Sequence, residues 1–527
     1  MIHIRLAYNK GYRWFSKNDV FVKGYIFISE NRLLKEDLLI DYFSEIQSFA
    51  EFQSKLQQAN GIFSVIVKNQ NTLWAASDTT RSFPLFYYWK NDSFEITDNP
   101  DLLREDNIPM ILDEFSTVEF IYSGFVSSGK TLLKDVFLLN AGESLCFENN
   151  TLKKEFHTEF LTETFFTKTR EELKLELKQV LDNIGKRLVK VLDNRTVVIP
   201  LSGGFDSRLM VYLLRKNNYP NVVCYTFGKS SSPELNNSER AAKKSGYEWY
   251  FINYEKYFDN VLTEDALFKE YMVFCGDYCY RPEEQDYYAI KELVDLNKIP
   301  VDSIFISGNS GAIAGHLLEQ KMANPEFSFA EHAVNDVYSL VYSRKKELKI
   351  IKKKLDFLDN HNEKYPPYII YENWRFQGTT AMTFNNTSKV WGFFGFESLL
   401  PLWDKELFDF FSHVPFQYKY DKNLYKEVLS ELFSEFDIYF FKEELYPSEN
   451  LIKKVAFRSK IKKYFPFLKY FINIWKNDAI GSQYFAKAFV KELKESGNYR
   501  KFFSFNGILS AWYLMQIKKK LHNEKDH

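Results

Sequence analysis

The stretch TVVIPLSGGFDSRLMVYLLRKN, residues 196–217, decides the fold of this 527-residue chain. The apolar run Val197–Leu201 reads as a buried strand, Gly203 and Gly204 as a tight turn, and SRLMVYLLRKN as a helix. NVVCYTFG (221–228) reads as the next strand, SERAAKKSG (238–246) as a helix ending at Gly246, and YEWYFINY (247–254) as a third strand. Strands alternating with helices predict an α/β unit built on a doubly wound parallel sheet.

Chemistry gathers at the turn. Leu201-Ser202-Gly203-Gly204-Phe205-Asp206-Ser207 has the parts of a phosphate cradle. Two glycines let the backbone approach an anion, and successive N–H groups then point at it. The helix that follows adds its positive end, and the hydroxyls of Ser202 and Ser207 add donors. Asp206 supplies a hard oxygen for Mg²⁺ bridging the phosphates. No lysine follows the glycines, so this is not the G-x-x-x-x-G-K-[ST] loop. The plainer reading is a Gly-Gly turn that only caps a helix. The order strand, turn, acid, helix argues for the cradle.

Upstream, TREELKLELKQVLDNIGKRLVKVLDNR (169–195) carries Leu173, Leu177, Leu181, Ile184 and Leu188 at helical spacing, with Thr169 and Glu172 as a capping box. Before it the chain reads as sheet. GIFSVIVKN (61–69), NTLWAAS (71–77), SFPLFYYWK (82–90) and SFEIT (93–97) are β-rich runs joined by polar turns, predicting antiparallel hairpins with one face packed. The expected domains are therefore 1–165, 166–440 and a helical, basic and aromatic extension at 441–527. RKKELKIIKKKLDFLDN (344–360) reads as a solvated helix.

Composition narrows the function classes. Lys plus Arg number 69 and Asp plus Glu 70, a net charge of -1, so no global basic field grips nucleic acid. Aromatic residues make up 18% and are read as core packing rather than a base-stacking platform. Four cysteines are too few for a disulfide framework, and the Cys275/Cys279 pair lacks a second pair at zinc-ligand spacing. No window reaches the roughly 18 apolar residues that span a bilayer, and the start has no secretory pattern. The expectation is a soluble, cytoplasmic protein. The lysines of 451–474 offer peripheral contact with an anionic surface or glycan, against a plain solvated helix face.

The S-G-G-x-D-S string after an apolar strand resembles the pyrophosphate loop of the ATP pyrophosphatase (PP-loop) superfamily, and within it the asparagine synthetases. YTFGKSSSPELNNSERAAKKSG (225–246) resembles the segment that lines the adenine pocket there, which implies adenine beside Phe227 and Gly228. IFISGNSGAIAGHLL (304–318) resembles the second nucleotide-contacting loop, implying that Ser307 and Gly308 line the pocket. ESLLPLWDKELFDFFSHVP (397–415) resembles the E-x-x-x-P-x-x-D stretch. Lys422 then stands where the family has a catalytic lysine, with Lys419 and Lys426 as competitors in register. GIFSVIV and SDTTRSFPLFYY resemble the partner class II glutaminase domain.

Two departures qualify the resemblance. The glutaminase needs an N-terminal cysteine nucleophile, whereas position 2 is Ile2 and the nearest cysteine is Cys146. This implies an inactive glutaminase-like (Ntn) α+β sandwich, as in β-lactam synthetases, lasso-peptide cyclases and the family's members in bacterial surface-polysaccharide clusters, the group it looks most like. The second loop also lacks the family's acids, having Asn309, Ala312 and Ile313. Asp206 then holds the metal alone, or Glu283, Glu284 or Asp286 substitutes, or adenylation is lost.

The resemblance implies a ligase that spends ATP with Mg²⁺, activates a sugar, amino-acid or peptide carboxylate as an acyl-adenylate, and forms an amide with ammonia or an amine. Ser202, Gly203, Gly204 and Ser207 hold phosphates, Asp206 the metal, and Lys422 the charge on departing pyrophosphate. His316, after a Gly-rich loop, is read as packing before catalysis. The alternatives are a glutamine-hydrolysing asparagine synthase and a non-catalytic nucleotide-binding scaffold.

Overall fold

The computed structural model describes the chain except residues 1, 30–31, 91–92, 107, 233, 260–264, 309–311, 342–344, 361–363, 439–479, 500–503 and 524–527. Asn309 and the basic stretch 451–474 therefore lie outside the described residues.

The first part is two stacked sheets. β1 (Ile2–Arg5), β2 (Phe15–Lys17), β3 (Val20–Ile28) and β4 (Arg32–Lys35) lead to helices α1 (Asp37–Ser44) and α2 (Phe49–Gln58). β5 (Asn60–Asn69), β6 (Thr72–Ser77), β7 (Phe86–Lys90), β8 (Ser93–Thr97), α3 (Glu114–Ser123), β9 (Val136–Leu138), β10 (Glu143–Glu148) and β11 (Thr151–Phe156) follow. Seven strands run β11-β10-β6-β5-β3-β2, with β4 also on β3, and four run β1-β8-β7-β9. The expected hairpins β5–β6 and β7–β8 form, but β1 joins β8 in parallel. The strand expected over 82–90 begins only at Phe86, because Pro84 has no N–H for a ladder.

Why the run GIFSVIVKN lacks strict alternation is visible in its packing. Phe63, Val65 and Val67 face α1 and α2 through Phe43, Phe52 and Leu56. Ile66 shares a core with Leu85 and with Tyr87 and Phe94 of the other sheet. A strand buried on both faces reads as continuously apolar.

The second part begins with α4 (Arg170–Leu192), and the capping box forms with both its hydrogen bonds, Thr169 to Glu172 and back. β12 (Val197–Pro200), α5 (Phe205–Lys216), β13 (Val222–Gly228), α6 (Glu234–Ser245), β14 (Glu248–Asn253), α7 (Ala266–Cys275), α8 (Tyr287–Asp295) and β15 (Ile304–Ile306) follow. The helix expected near Ser238 starts four residues earlier, at Glu234. Further helices are α9 (Phe329–Asp336), α10 (Lys345–Leu355), α11 (Pro367–Arg375) and α12 (Ala381–Phe393), before β16 (Glu397–Leu399). Then come α13 (Lys405–His413), α14 (Phe416–Lys419), α15 (Asn423–Ser434), α16 (Ser482–Glu495) and α17 (Phe505–Asn523).

The five strands β14-β13-β12-β15-β16 are all parallel. Val198, Val223, Tyr225 and Phe305 enter one core. Their neighbours Val197, Ile199, Cys224 and Ile304 enter another, with α4, α5, α13 and α15. Both faces are thus covered, as in a doubly wound sheet. The chain order turns back between β12 and β15, and ligands of such sheets sit at the carboxyl ends of strands at that switch point. Residue 165 does not separate the cores. Phe86, Tyr88, Phe120 and Val136 share one with Tyr225 and Trp512, and Phe27 and Ile62 share another with Leu181 and Phe408.

Candidate functional site

The turn after β12 lies at that switch point. Leu201 is buried, its N–H donating to the Tyr225 carbonyl at 2.8 Å and its carbonyl accepting from Thr226 Oγ1 at 2.7 Å. Beyond it the loop is tied by its own serines. Ser202 N–H donates to Ser207 Oγ at 3.2 Å, Ser207 Oγ donates to the Ser202 carbonyl at 3.1 Å, and Gly204 N–H donates to Ser202 Oγ at 3.2 Å. Gly204 is the N-cap of α5, and no side chain caps the helix.

The glycines carry a different meaning from the one their sequence suggested. Neither Gly203 nor Gly204 takes a positive φ, so the bend does not require glycine for its backbone. A Cβ on Gly203 would find only Glu234 and Asn237 side-chain carbons, at 3.6 Å and beyond. What glycine leaves there is open space over the uncapped N–H groups, the space an anion would take. Gly308, at the end of β15, is the opposite case. A Cβ there would lie 2.6 Å from the backbone of Asp206 and Ser207, so the second loop is pressed onto the first turn of α5.

Asp206 is bonded on both oxygens. Lys422 Nζ lies 3.1 Å from Oδ2 and Tyr425 OH donates to Oδ1 at 2.8 Å. Of the three competing lysines, Lys422 is therefore the one that meets the loop. Lys426 is exposed, and Lys419 is wholly buried against Glu372 at 2.7 Å. Lys422 stands at the head of α15, and Tyr425 one turn on, so the two reach the same carboxylate from one helix face. Asp421 and Lys422 both adopt left-handed backbone, at φ 52° and 59°. Burial, then the Asp206 charge, raises the Tyr425 pKa far above the phenol range, so it is a neutral donor.

Beneath this turn Glu372 of α11 and Lys419 form an ion pair with no exposure on either side. Burial pushes Glu372 up to about 7 and pulls Lys419 down. The Lys419 carbonyl abuts Gly315, where a Cβ would come within 2.1 Å. Sequence reasoning missed Tyr425 and Glu372. Tyr425 had a signal, its i+3 spacing from Lys422; Glu372, fifty residues away, had none.

The other expected residues are placed as follows. Phe227 is half-buried, stacked on Tyr254 with centroids 5.0 Å apart. Ser307 is buried, its N–H donating to the Leu399 carbonyl at 3.1 Å. His316 remains exposed; crowding and then Lys422 lower its pKa. Glu397 pairs with Arg195 at 2.7 Å, and Asp404 takes Arg187 through two bonds of 2.8 Å while capping α13, so both acids of the E-x-x-x-P-x-x-D stretch brace the fold.

Of the carboxylates offered as metal substitutes, Asp286 and Glu283 have other partners. Asp286 accepts from Tyr225 OH at 2.8 Å, and burial raises its pKa to about 7; Glu283 lies 3.4 Å from Arg281. Among the described residues no group of three or more His, Cys, Asp or Glu side chains could hold a metal ion. Ile313 is buried. The donor set at the loop is one carboxylate, which suits Mg²⁺ carried in mainly on phosphate oxygens and water. Both Asp206 oxygens are bonded in this structure, so such a metal would fit there only with the Lys422 ammonium moved off Oδ2. Among the described residues no helix is long and apolar enough to cross a membrane.

No family model matches the chain. It is 22% identical over 223 residues to the Microcin J25-processing protein McjC of Escherichia coli, a match covering 40% of this chain and 39% of that protein. Among solved structures, the NH3-dependent NAD synthetase of Campylobacter jejuni aligns with 36% of this chain and 75% of its own, at 18% identity and a TM-score of 0.20. The NMN synthetase of Francisella tularensis aligns with 51% and 94%, at 12% identity and 0.21. The glutamine phosphoribosylpyrophosphate amidotransferase of B. subtilis aligns with 67% and 76%, at 9% identity and 0.18. These superpositions are too loose to carry an argument, and similarity to McjC spans about two fifths of either chain.

Proposed function

We propose that the protein is an ATP-dependent ligase that activates a carboxylate as an acyl-adenylate, releases pyrophosphate, and forms an amide with ammonia or an amine. The observation that carries this reading is the Asp206–Lys422 pair, 3.1 Å apart, at the open diglycine turn. An acid and a base from distant parts of the chain meet where an anion would lie.

In this reading the N–H groups of Gly203, Gly204 and the first turn of α5, with the hydroxyls of Ser202 and Ser207, receive the triphosphate. Phe227 lies beside the base, and Ser307 and Gly308 wall the second loop. Mg²⁺, when bound on Asp206, would screen the phosphate charges. The substrate carboxylate attacks the α-phosphorus, forming the acyl-phosphate bond as the bond to the β-phosphate oxygen breaks. Lys422, which by then has left Asp206 for the bound phosphates, is a cation already in place where charge develops on the leaving pyrophosphate. Tyr425, still on Asp206, keeps that carboxylate in place. The amine finally displaces AMP at the acyl carbon.

McjC is by its name a Microcin J25-processing protein; a peptide, an amino acid and a surface-polysaccharide sugar acid are the acceptors that the family resemblance suggests. The first 165 residues contain one cysteine, Cys146, on β10, its thiol pKa raised by burial. That disfavours glutamine hydrolysis by a thiolate and hence a glutamine-hydrolysing asparagine synthase. A nucleotide-binding scaffold without catalysis is the second reading, favoured by the lack, among the described residues, of another acid on the Asp206–Lys422 pair. The test is pyrophosphate release from ATP and Mg²⁺ in the presence of candidate carboxylates. The ligase reading expects release that disappears in Asp206→Ala; nucleotide binding with no release would favour the scaffold.

A further inference from the structure

A cavity of about 570 Å³ opens between the two-sheet part and the helices α7, α12 and α17, and none of the residues assigned above to nucleotide or metal lines it. Its walls are largely apolar and include Phe83 from the two-sheet part together with Phe274 of α7 and Phe396. Sites of this size and character take small organic molecules, oriented by a few polar groups.

One such group is Lys23, on β3, which is only 2% exposed. Its ammonium donates to the Tyr8 carbonyl at 2.6 Å and faces the rings of Tyr8, Phe83 and Trp14 at 4.8, 5.4 and 5.5 Å. An ammonium has three donors, so two are left over. The nearby carboxylate, Asp98, is spent on other donors: the N–H groups of Ala7 and Tyr8 at 2.9 Å and Trp14 Nε1 at 2.8 Å. Of the other cations of the wall, Lys10 lies over the Phe393 ring at 4.8 Å, and the rest have acids of their own. Lys389 pairs with Asp277, Lys520 with Asp101 and Lys269 with Glu492. Among the described residues Lys23 is the buried lysine of this wall with no directly bonded carboxylate, the Asp98 charge reaching it only through space. Burial draws its pKa down to about 8, which still leaves it largely charged at neutral pH. A buried charge is costly until an opposite charge meets it, and an incoming carboxylate would form short charge-assisted bonds with it.

We propose that this cavity binds a small organic carboxylate with an aromatic body, its carboxylate on Lys23 and its ring against the lining phenylalanines Phe83, Phe274 and Phe396. The site is separate from the nucleotide loop and does not depend on the ligase reading. Because both parts of the chain line the cavity, an occupant would bridge them.

Isothermal titration of the full chain, without nucleotide, with 2-naphthylacetate and with the matched neutral alcohol 2-(2-naphthyl)ethanol tests this. The acid is expected to bind at least tenfold more tightly than the alcohol. Lys23→Met should remove that preference while leaving the alcohol's affinity unchanged. Ser388→Trp, which fills the cavity from α12, should weaken both, and Asp206→Ala should weaken neither. Equal affinity of acid and alcohol, undiminished acid binding by Lys23→Met, or no binding heat from the acid would overturn the proposal. Loss of acid binding in Asp206→Ala would move the acid to the nucleotide loop and overturn it too. Should Lys23→Met fail to fold, the wild-type acid-to-alcohol ratio and Ser388→Trp decide.

Discussion

Replacing Lys419 by methionine strands the Glu372 carboxyl in an interior it tolerates only because an ammonium lies 2.7 Å away. Breaking a buried pair by removing one partner costs about 3–5 kcal/mol. We expect Lys419→Met to lower stability by about 3 kcal/mol at pH 8. The sign with pH follows from the direction of the shift. A carboxyl whose folded pKa lies above its unfolded one favours the folded state below the unfolded value, and that contribution is lost as pH rises from about 4.5 through about 7. With the ammonium gone, Glu372 can stay neutral only by keeping its proton. The penalty in Lys419→Met should therefore shrink to about 1 kcal/mol or less at pH 5. Glu372→Leu added to Lys419→Met should return stability to within about 1 kcal/mol of the parent, since a matched apolar pair replaces the ions at little cost. Urea unfolding followed by tryptophan fluorescence at both pH values measures this through midpoint and slope. A loss below about 1 kcal/mol at pH 8, or equal losses at pH 5 and pH 8, would refute the reasoning.

Three further outcomes are expected. Gly203→Ala should leave stability within about 0.5 kcal/mol, because its Cβ meets ordinary contacts, yet weaken ATP binding by calorimetry because the methyl fills the cradle. Gly308→Ala should cost about 1–3 kcal/mol in denaturant unfolding, as its Cβ overlaps the Asp206 and Ser207 backbone. Lys422→Met should slow pyrophosphate release by about 10²–10³-fold, and Tyr425→Phe by less, because Tyr425 acts through Asp206; an unchanged rate in Lys422→Met would remove that lysine from the chemistry.

Much of the second part was legible along the chain because its signals are local. The capping box at Thr169 and Glu172, the strand–turn–helix of residues 196–217 and the left-handed Gly246 after α6 each lie within a few residues of the group they act on. By itself, then, the sequence determined the α/β alternation, the parallel sheet and the placement of an acid after a diglycine turn. It could not say which lysine serves that acid, because Lys419, Lys422 and Lys426 share composition and neighbourhood; α11 decides it by burying Glu372 under Lys419, and the left-handed turn at 421–422 sends Lys422 to Asp206. Nor could it show that Gly308 is the glycine demanded by packing while Gly203 is the one left open. The cavity around Lys23 was equally invisible, since its walls come from β3, α7, α12 and α17, hundreds of residues apart. Local order follows from backbone hydrogen bonds and side-chain periodicity; contacts such as these exist only once distant surfaces have been pressed together by burial.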